Sequence, residues 1–295
     1  LAILASRSAL SFVHLLDELG LLTRIFPELE VGRDVQQPKE HYWDVLTHNI
    51  ETVGAVEGLL AWDMEPAWAL EMVPWPADMD AYFKEMMSDG HTRGTLLKLA
   101  GLLHDVAKPA TRTETPEGKI RFLGHHTDGA DMAGKALERL RFSNKGIALV
   151  RTQIEHHLRP ALMSHGDDLA TTRAVFRYFR SAGDAAVDTL YLNLADYLAA
   201  RGPFLEKDEW AAYTKKVRHI LESGVDLQEK APSSPRLVEG NALMAELALP
   251  PGPLVGRLLD AMQEAQATGE VNTRDAAIAL ARRIIASQGK ESGHA

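Results

Sequence analysis

Six side chains in this 295-residue sequence, His48, His104, Asp105, His125, His157 and Asp196, combine imidazole and carboxylate chemistry with positions beside apolar helical stripes. In "LLKLAGLLHDVAKPAT", residues 96–111, the residues Leu96, Leu99, Ala100, Leu103 and Ala107 make one apolar face. His104 and Asp105 flank that face, and Lys108 sits one turn beyond His104. An acid in such a setting needs a partner, because withdrawing a carboxylate from water costs several kcal/mol or more. Two readings are open at this point. Either a metal ion satisfies His104 and Asp105 together, or Asp105 pairs with an arginine while His104 packs.

Other helical patterns repeat the oddity. In "HYWDVLTHNIETVGAVEGLL" the stripe Leu46, Ile50, Val53, Val56 and Leu60 leaves His48 on its border. In "KGIALVRTQIEHHLRP" the stripe Ile147, Val150, Ile154 and Leu158 places His157 beside the core and turns His156 further toward solvent. In "DAAVDTLYLNLADYLAA" Asp196 lies beside the small residues Ala195 and Ala199, which leave room for something to approach. "FLGHHTDGADMA" adds His125 and His126 at a helix opening, where free backbone N–H groups favour anions. The sequence has 12 histidines and no cysteine. Disulfides, thiolate nucleophiles and thiolate zinc sites are therefore excluded, and any metal must be held by His, Asp, Glu or carbonyl oxygens.

The elements that must position these residues are helices. Apolar residues recur at three- and four-residue steps, and alternating or β-branched runs are scarce, so the fold class is all-α. The periodicity predicts helices near 8–20, 41–60, 78–88, 92–107, 125–141, 145–158, 168–181, 184–200, 206–223, 240–247, 253–268 and 273–287. Pro160 is expected to close one helix, and Gly183-Asp184 to separate two others by a helix-ending glycine and a capping carboxylate. "DLQEKAPSSPRLVEGN", residues 226–241, is the linker candidate ahead of a small C-terminal helical domain. The stretch holding Trp62, Trp68 and Trp75 reads as a packed excursion between helices.

With 45% hydrophobic and 25% charged residues, the chain has an ordinary globular composition. A formal charge of −9 argues against coating nucleic acid by bulk electrostatics, though local basic faces are compatible with it. The stripe Arg173, Arg177 and Arg180 is one such face, as are "ERLRFSNKG" and "YTKKVRH". No apolar run is long enough to span a bilayer and no leader opens the sequence, which sets the expectation of a cytoplasmic protein without a membrane partner. The first residue is Leu1, and the chain is expected to be cut from something longer.

The succession His48, His104-Asp105, His125, His157, Asp196 resembles the HD superfamily of metal-dependent phosphohydrolases. It is most similar to the HD-containing part of the CCA-adding and poly(A) polymerase family. "LLHDVAKP", "GHH" and "HLRP" carry the first resemblance, and "LALPPGPLVGRLL" followed by "GEVNTRDAA" carries the second. The resemblance implies an HD helical bundle with a small C-terminal helical domain. Its segments are a helical connector over 1–38, a phosphohydrolase domain over 39–230 and a tail domain over 235–290.

The resemblance also implies a four-ligand core of His48, His104, Asp105 and Asp196, with His125 and His157 as ligands of a second ion. Asp105 and Lys108 become the catalytic pair, Lys108 facing phosphate. The cofactor would be one or two divalent ions among Mn, Ni, Co, Mg, Fe or Zn. Two departures stand out. His126 occupies a position where many relatives have Glu, and the Gly-Ser turn with a strand-borne Asp-x-Asp needed for nucleotide addition is missing. "DMD" at 78–80 leads into a helical pattern and reads as a helix cap. The expected activity is hydrolysis of a nucleotide, cyclic nucleotide or RNA phosphate end. The alternative is an RNA-binding body for tRNA or other RNA, with Arg173, Arg177 and Arg180 as phosphate contacts. A third reading is a degenerate scaffold that binds without turnover.

Overall fold

Apolar residues at helical spacing do become helices throughout the computed structural model, which describes residues 1–88, 90–164, 166, 168–230 and 236–291. The fold is all-α, a helical bundle with C-terminal helices, interrupted among the described residues by two small antiparallel hairpins. The chain divides into two units. One holds residues 1–169 with 182–219, and the other holds 170–181 with the described part of 220–295.

The first unit is built around the helix Arg93–Leu103, in which every residue is buried. It packs against Val45–Ala61, Asn144–His156 and Ala186–Arg201, while His125–Arg139 lies along Asn144–His156. Close approach is permitted by small residues. A Cβ on Gly101 would stand 3.2 Å from the Thr52 methyl group.

A helix buried on all sides must pair its own polar residues, and Arg93–Leu103 does. Lys98 donates to Glu57 at 3.1 Å and to the Ser6 carbonyl at 2.9 Å. Arg93 donates to Asp188 at 2.8 Å and also reaches Glu85 and Asp184. The expectation of a single apolar face on this element is thereby corrected: the helix is central, and its charges are neutralised inside the core.

The expected helix over 92–107 stops at Leu103. His104–Ala107 form a turn, and a short helix Lys108–Thr111 follows. Pro109 supplies the reason, since it has no N–H for the Asp105 carbonyl and its ring would clash there in a continuous helix. The helix expected from 41 begins at Val45, where Asp44 caps it by accepting from the Thr47 N–H at 2.7 Å. The expected run over 78–88 ends at Lys84, because Met86–Ser88 pairs with His91–Thr92. The second hairpin joins Arg112–Glu114 to Ile120–Phe122 through a turn in which Gly118 has φ +78°.

Asp78 does occupy the N-cap position of Met79–Lys84, but its side chain makes no capping bond; Asp80 instead accepts from the Trp75 indole at 3.0 Å. Gly183 takes φ +52° as a helix-ending glycine should. Asp184 does not cap the next helix, because its carboxylate is engaged by Arg93 at 3.1 Å. Trp75 packs against Trp62, Phe83 and Tyr191, with the short helix Trp68–Met72 inside the same excursion.

The second unit packs Gly240–Leu247, Pro253–Ala267 and Arg274–Glu291 around Val238, Leu243, Leu258, Met262, Ile278 and Ala281. Residues 231–235, the centre of the expected linker, lie outside the described residues. Thr172–Ala182 belongs to this unit over most of its length, with Val175 and Tyr178 buried. No described helix is long and apolar enough to cross a membrane.

Candidate metal centre

Four helix ends or turns and one helix interior deliver the six ligand-type residues to one buried point. His48 comes from the first turn of Val45–Ala61, His104 and Asp105 from the turn forced by Pro109, and His125 from the start of His125–Arg139. His157 is the C-cap residue of Asn144–His156, and Asp196 projects from Ala186–Arg201. His48, His104 and His157 are fully buried, Asp105 is 1% exposed and His125 6%.

One ligand atom from each of His48, His104, Asp105 and Asp196 lies within 4.8 Å of the others, and Asp105, His125 and His157 form a second such group. In the first group, His48 Nε2 is 3.3 Å from Asp105 Oδ2 and 3.0 Å from Asp196 Oδ1. His104 Nε2 is 3.2 Å and 3.5 Å from the same two oxygens. In the second, Asp105 Oδ1 is 3.2 Å from His125 Nε2 and 3.7 Å from His157 Nε2. Asp105 thus turns one oxygen to each group.

The backbone fixes which ring nitrogen faces inward. Nδ1 of His104, His125 and His157 meets the carbonyls of Gly101, Phe122 and Ile154 at 2.8, 2.6 and 2.7 Å. In the neutral ring the tautomer that donates this N–H leaves Nε2 as the lone-pair nitrogen, on the side facing Asp105, the arrangement typical of metal-binding histidines.

Charge density at the cluster is high. Burial disfavours the Asp105 carboxylate, but His104 and Lys108 outweigh it and hold the acid well below the usual carboxylate range. Burial likewise opposes Asp196, and its hydrogen bonds to His104 and His48 prevail. At His104 burial works against protonation, yet the Asp105 and Asp196 carboxylates raise it to about 10. At His157 burial wins, aided by His104, and the imidazole falls to about 3.

These residues fit a divalent ion. Asp105 Oδ1 and the Nε2 atoms of His125 and His157 are buried without a hydrogen-bond partner, an expensive state that cation coordination would relieve. The donors are imidazole nitrogen and carboxylate oxygen, which suit borderline and harder divalent ions.

Lys108 Nζ lies 2.5 Å from Asp105 Oδ2 and donates to Gln37 Oε1 at 2.7 Å. It opens on a cleft of about 320 Å³ that is also lined by Asp105, His125, His157 and Asp196. Sequence reasoning missed four supporting residues. Gln37 and His41 meet Lys108 from a non-helical segment, and His41 Nε2 is 3.4 Å from the amine. Burial, with Lys108 nearby, pushes His41 down to about 3. Asn193 donates to the His157 carbonyl at 2.9 Å and accepts from the Tyr213 hydroxyl at 2.6 Å. Asn193 stands three residues before Asp196 on one helix face, a spacing that could have marked it.

Residues 81–201 match the HD domain family. The chain contains an HD domain. The match includes every ligand-type residue of the cluster except His48, which the structure brings in from outside it.

Beyond the HD domain, the chain is 30% identical over 283 residues to an A-adding tRNA nucleotidyltransferase of Deinococcus radiodurans, covering 96% of this chain and 56% of the relative. It is 34% identical over 281 residues to a CC-adding tRNA nucleotidyltransferase of Thermus thermophilus, covering 94% and 53%. The chain therefore spans about half the length of the curated relatives it matches.

The arginine stripe meets carboxylates of the second unit. Arg173 pairs with Glu264 at 3.0 Å and Glu270 at 2.5 Å, Arg177 with Glu264 at 2.7 Å, and Arg180 with Asp260 at 2.6 Å. The three residues do share one face, but acidic residues of the same unit already take up their charge. Periodicity places residues on a face without revealing what that face meets.

Proposed function

We propose that the HD domain is a divalent-metal-dependent phosphohydrolase acting on a nucleotide, a cyclic nucleotide or an RNA phosphate end. The observation that carries this reading is Asp105, a buried carboxylate whose two oxygens serve two adjacent groups of ligand atoms. His48, His104, Asp105 and Asp196 would hold one ion, and Asp105, His125 and His157 a second. When bound, such ions polarise a phosphoryl oxygen and supply an activated water.

The chain's own residues do the rest. Backbone acceptors lock three imidazoles, so the donor set needs little reorganisation when it binds. Lys108, on the cleft wall, offsets negative charge on the phosphate, and Gln37 orients its amine. We assign residues 1–38 to a connector, 39–230 to the phosphohydrolase domain and 235–290 to a tail domain.

Purified chain loaded with manganese, nickel, cobalt or magnesium is expected to hydrolyse at least one phosphoester of a broad panel, and Asp105→Asn to abolish it. Silence of the metal-loaded chain across the panel refutes hydrolysis.

A second reading is favoured by the two relatives, whose names assign them to tRNA nucleotide addition: the chain is an RNA-binding body related to such enzymes. Arg173, Arg177 and Arg180 lend it little, being paired with carboxylates. This reading predicts salt-sensitive retardation of tRNA, and no retardation at low salt counts against it.

A further inference from the structure

The cleft does not end at the ligand cluster. A second hollow of about 420 Å³ adjoins it, and the two share Glu40, His41, Ala200 and Arg201 as walls. We infer that this hollow is a nucleobase subsite in which the substrate's base stacks on the exposed Phe204 ring beside Tyr42 while its phosphate lies at Lys108 and the His/Asp cluster. The inference rests on the proposed phosphohydrolase reading and specifies its substrate as a nucleoside phosphate.

Phe204 is 68% exposed and Tyr42 45%, unusual for large aromatic side chains that are not scattered singly. Their rings meet edge-to-face at 5.1 Å, and Tyr42 in turn meets Trp43 at 4.5 Å. The pair is held in place from both sides. The Tyr42 N–H donates to the Ala200 carbonyl at 2.8 Å, and Arg201 donates to the Glu40 carbonyl at 3.0 Å. Gly202 makes the approach possible: it has φ +49°, and a Cβ there would stand 3.3 Å from the Trp43 indole nitrogen. A preset aromatic surface stacks a base without paying to order itself.

Polarity fixes the direction of binding. The hollow carries Glu40, Glu206 and Glu209 against Lys39 and Arg201, and Arg201 already stands 3.5 Å from Glu209, so the acids prevail there and disfavour a phosphate, whereas the cleft end carries Lys108 and the proposed metal ligands. His41 touches Lys108 on one side, and Tyr42 is the next residue, so the two ends are separated by a short stretch of shared wall. A ligand with phosphate at one end and a flat aromatic ring at the other matches this order.

The test uses the full chain loaded with manganese and compares adenosine 5′-monophosphate with ribose 5-phosphate, which lacks the base, by calorimetry. The expected result is that the nucleotide binds at least about tenfold tighter, consistent with one base stacked on an aromatic side chain. Phe204→Ala should collapse that ratio toward unity, and Phe204→Trp should restore it. Phe204 is exposed, so the fold should survive both changes, which circular dichroism checks. Equal affinity for the two ligands in the parent protein, or an unchanged ratio in Phe204→Ala, overturns the subsite. A full nucleotide preference together with silence across the phosphoester panel refutes the hydrolytic reading and supports the subsite, so the two failures are distinguishable.

Discussion

Replacing Asp105 by Asn keeps the volume of a 1%-exposed side chain and removes its charge. In the metal-free protein that charge faces Lys108 at 2.5 Å and His104 at 3.2 Å, inside a core with almost no access to water. The substitution leaves the buried Lys108 amine with neutral partners, an amide oxygen at position 105, the Gln37 oxygen and the His41 nitrogen, in place of a carboxylate. Breaking a buried ion pair by deleting one partner costs about 3–5 kcal/mol. At a few degrees per kcal/mol for a protein of this size, the thermal midpoint of the chelator-treated protein should fall by roughly 10 °C. If the stranded ammonium causes the loss, Lys108→Met added to Asp105→Asn should recover most of it, a coupling that a double-mutant cycle reads directly. Scanning calorimetry of the four proteins measures both quantities. A midpoint for Asp105→Asn within about 2 °C of the parent, or strictly additive effects, refutes the electrostatic account of the cluster.

Three further outcomes are expected. Asp196→Asn should remove one of two bound manganese ions, because Asp196 belongs only to the group with His48 and His104; equilibrium dialysis that still finds two ions contradicts the assignment. Arg93→Ala should lower stability by about 3–5 kcal/mol by stranding the fully buried Asp188, and a denaturant midpoint unchanged from the parent would show the network to be dispensable. Gly224→Ala should also destabilise, by about 1–3 kcal/mol, since its Cβ would fall 2.0 Å from the Phe179 ring, and thermal melts equal to the parent's would mean the ring moves freely.

The helices bearing the cluster were legible because their apolar residues keep a 3.6-residue period, so a His or Asp at the edge of a stripe stands out. The ends were less so. The turn at His104–Ala107 depends on Pro109 overriding a strong apolar run, and the hairpin strands Arg112–Glu114 and Ile120–Phe122 are too short for any period to register. Gln37 and His41 come from a segment without regular structure, where spacing carries no orientation. Arg173, Arg177 and Arg180 show the opposite failure: their face was correctly drawn, but the carboxylates that meet it lie some 80 to 100 residues further along the chain.

The central claim is that Asp105 stands between two divalent-ion positions. Diffraction from manganese-soaked crystals, recorded where manganese scatters anomalously, tests it most directly. Two anomalous peaks are predicted, one among His48, His104, Asp105 and Asp196 and one among Asp105, His125 and His157, with a different Asp105 oxygen toward each. Crystals that bind manganese elsewhere and show no peak beside Asp105 would contradict the account.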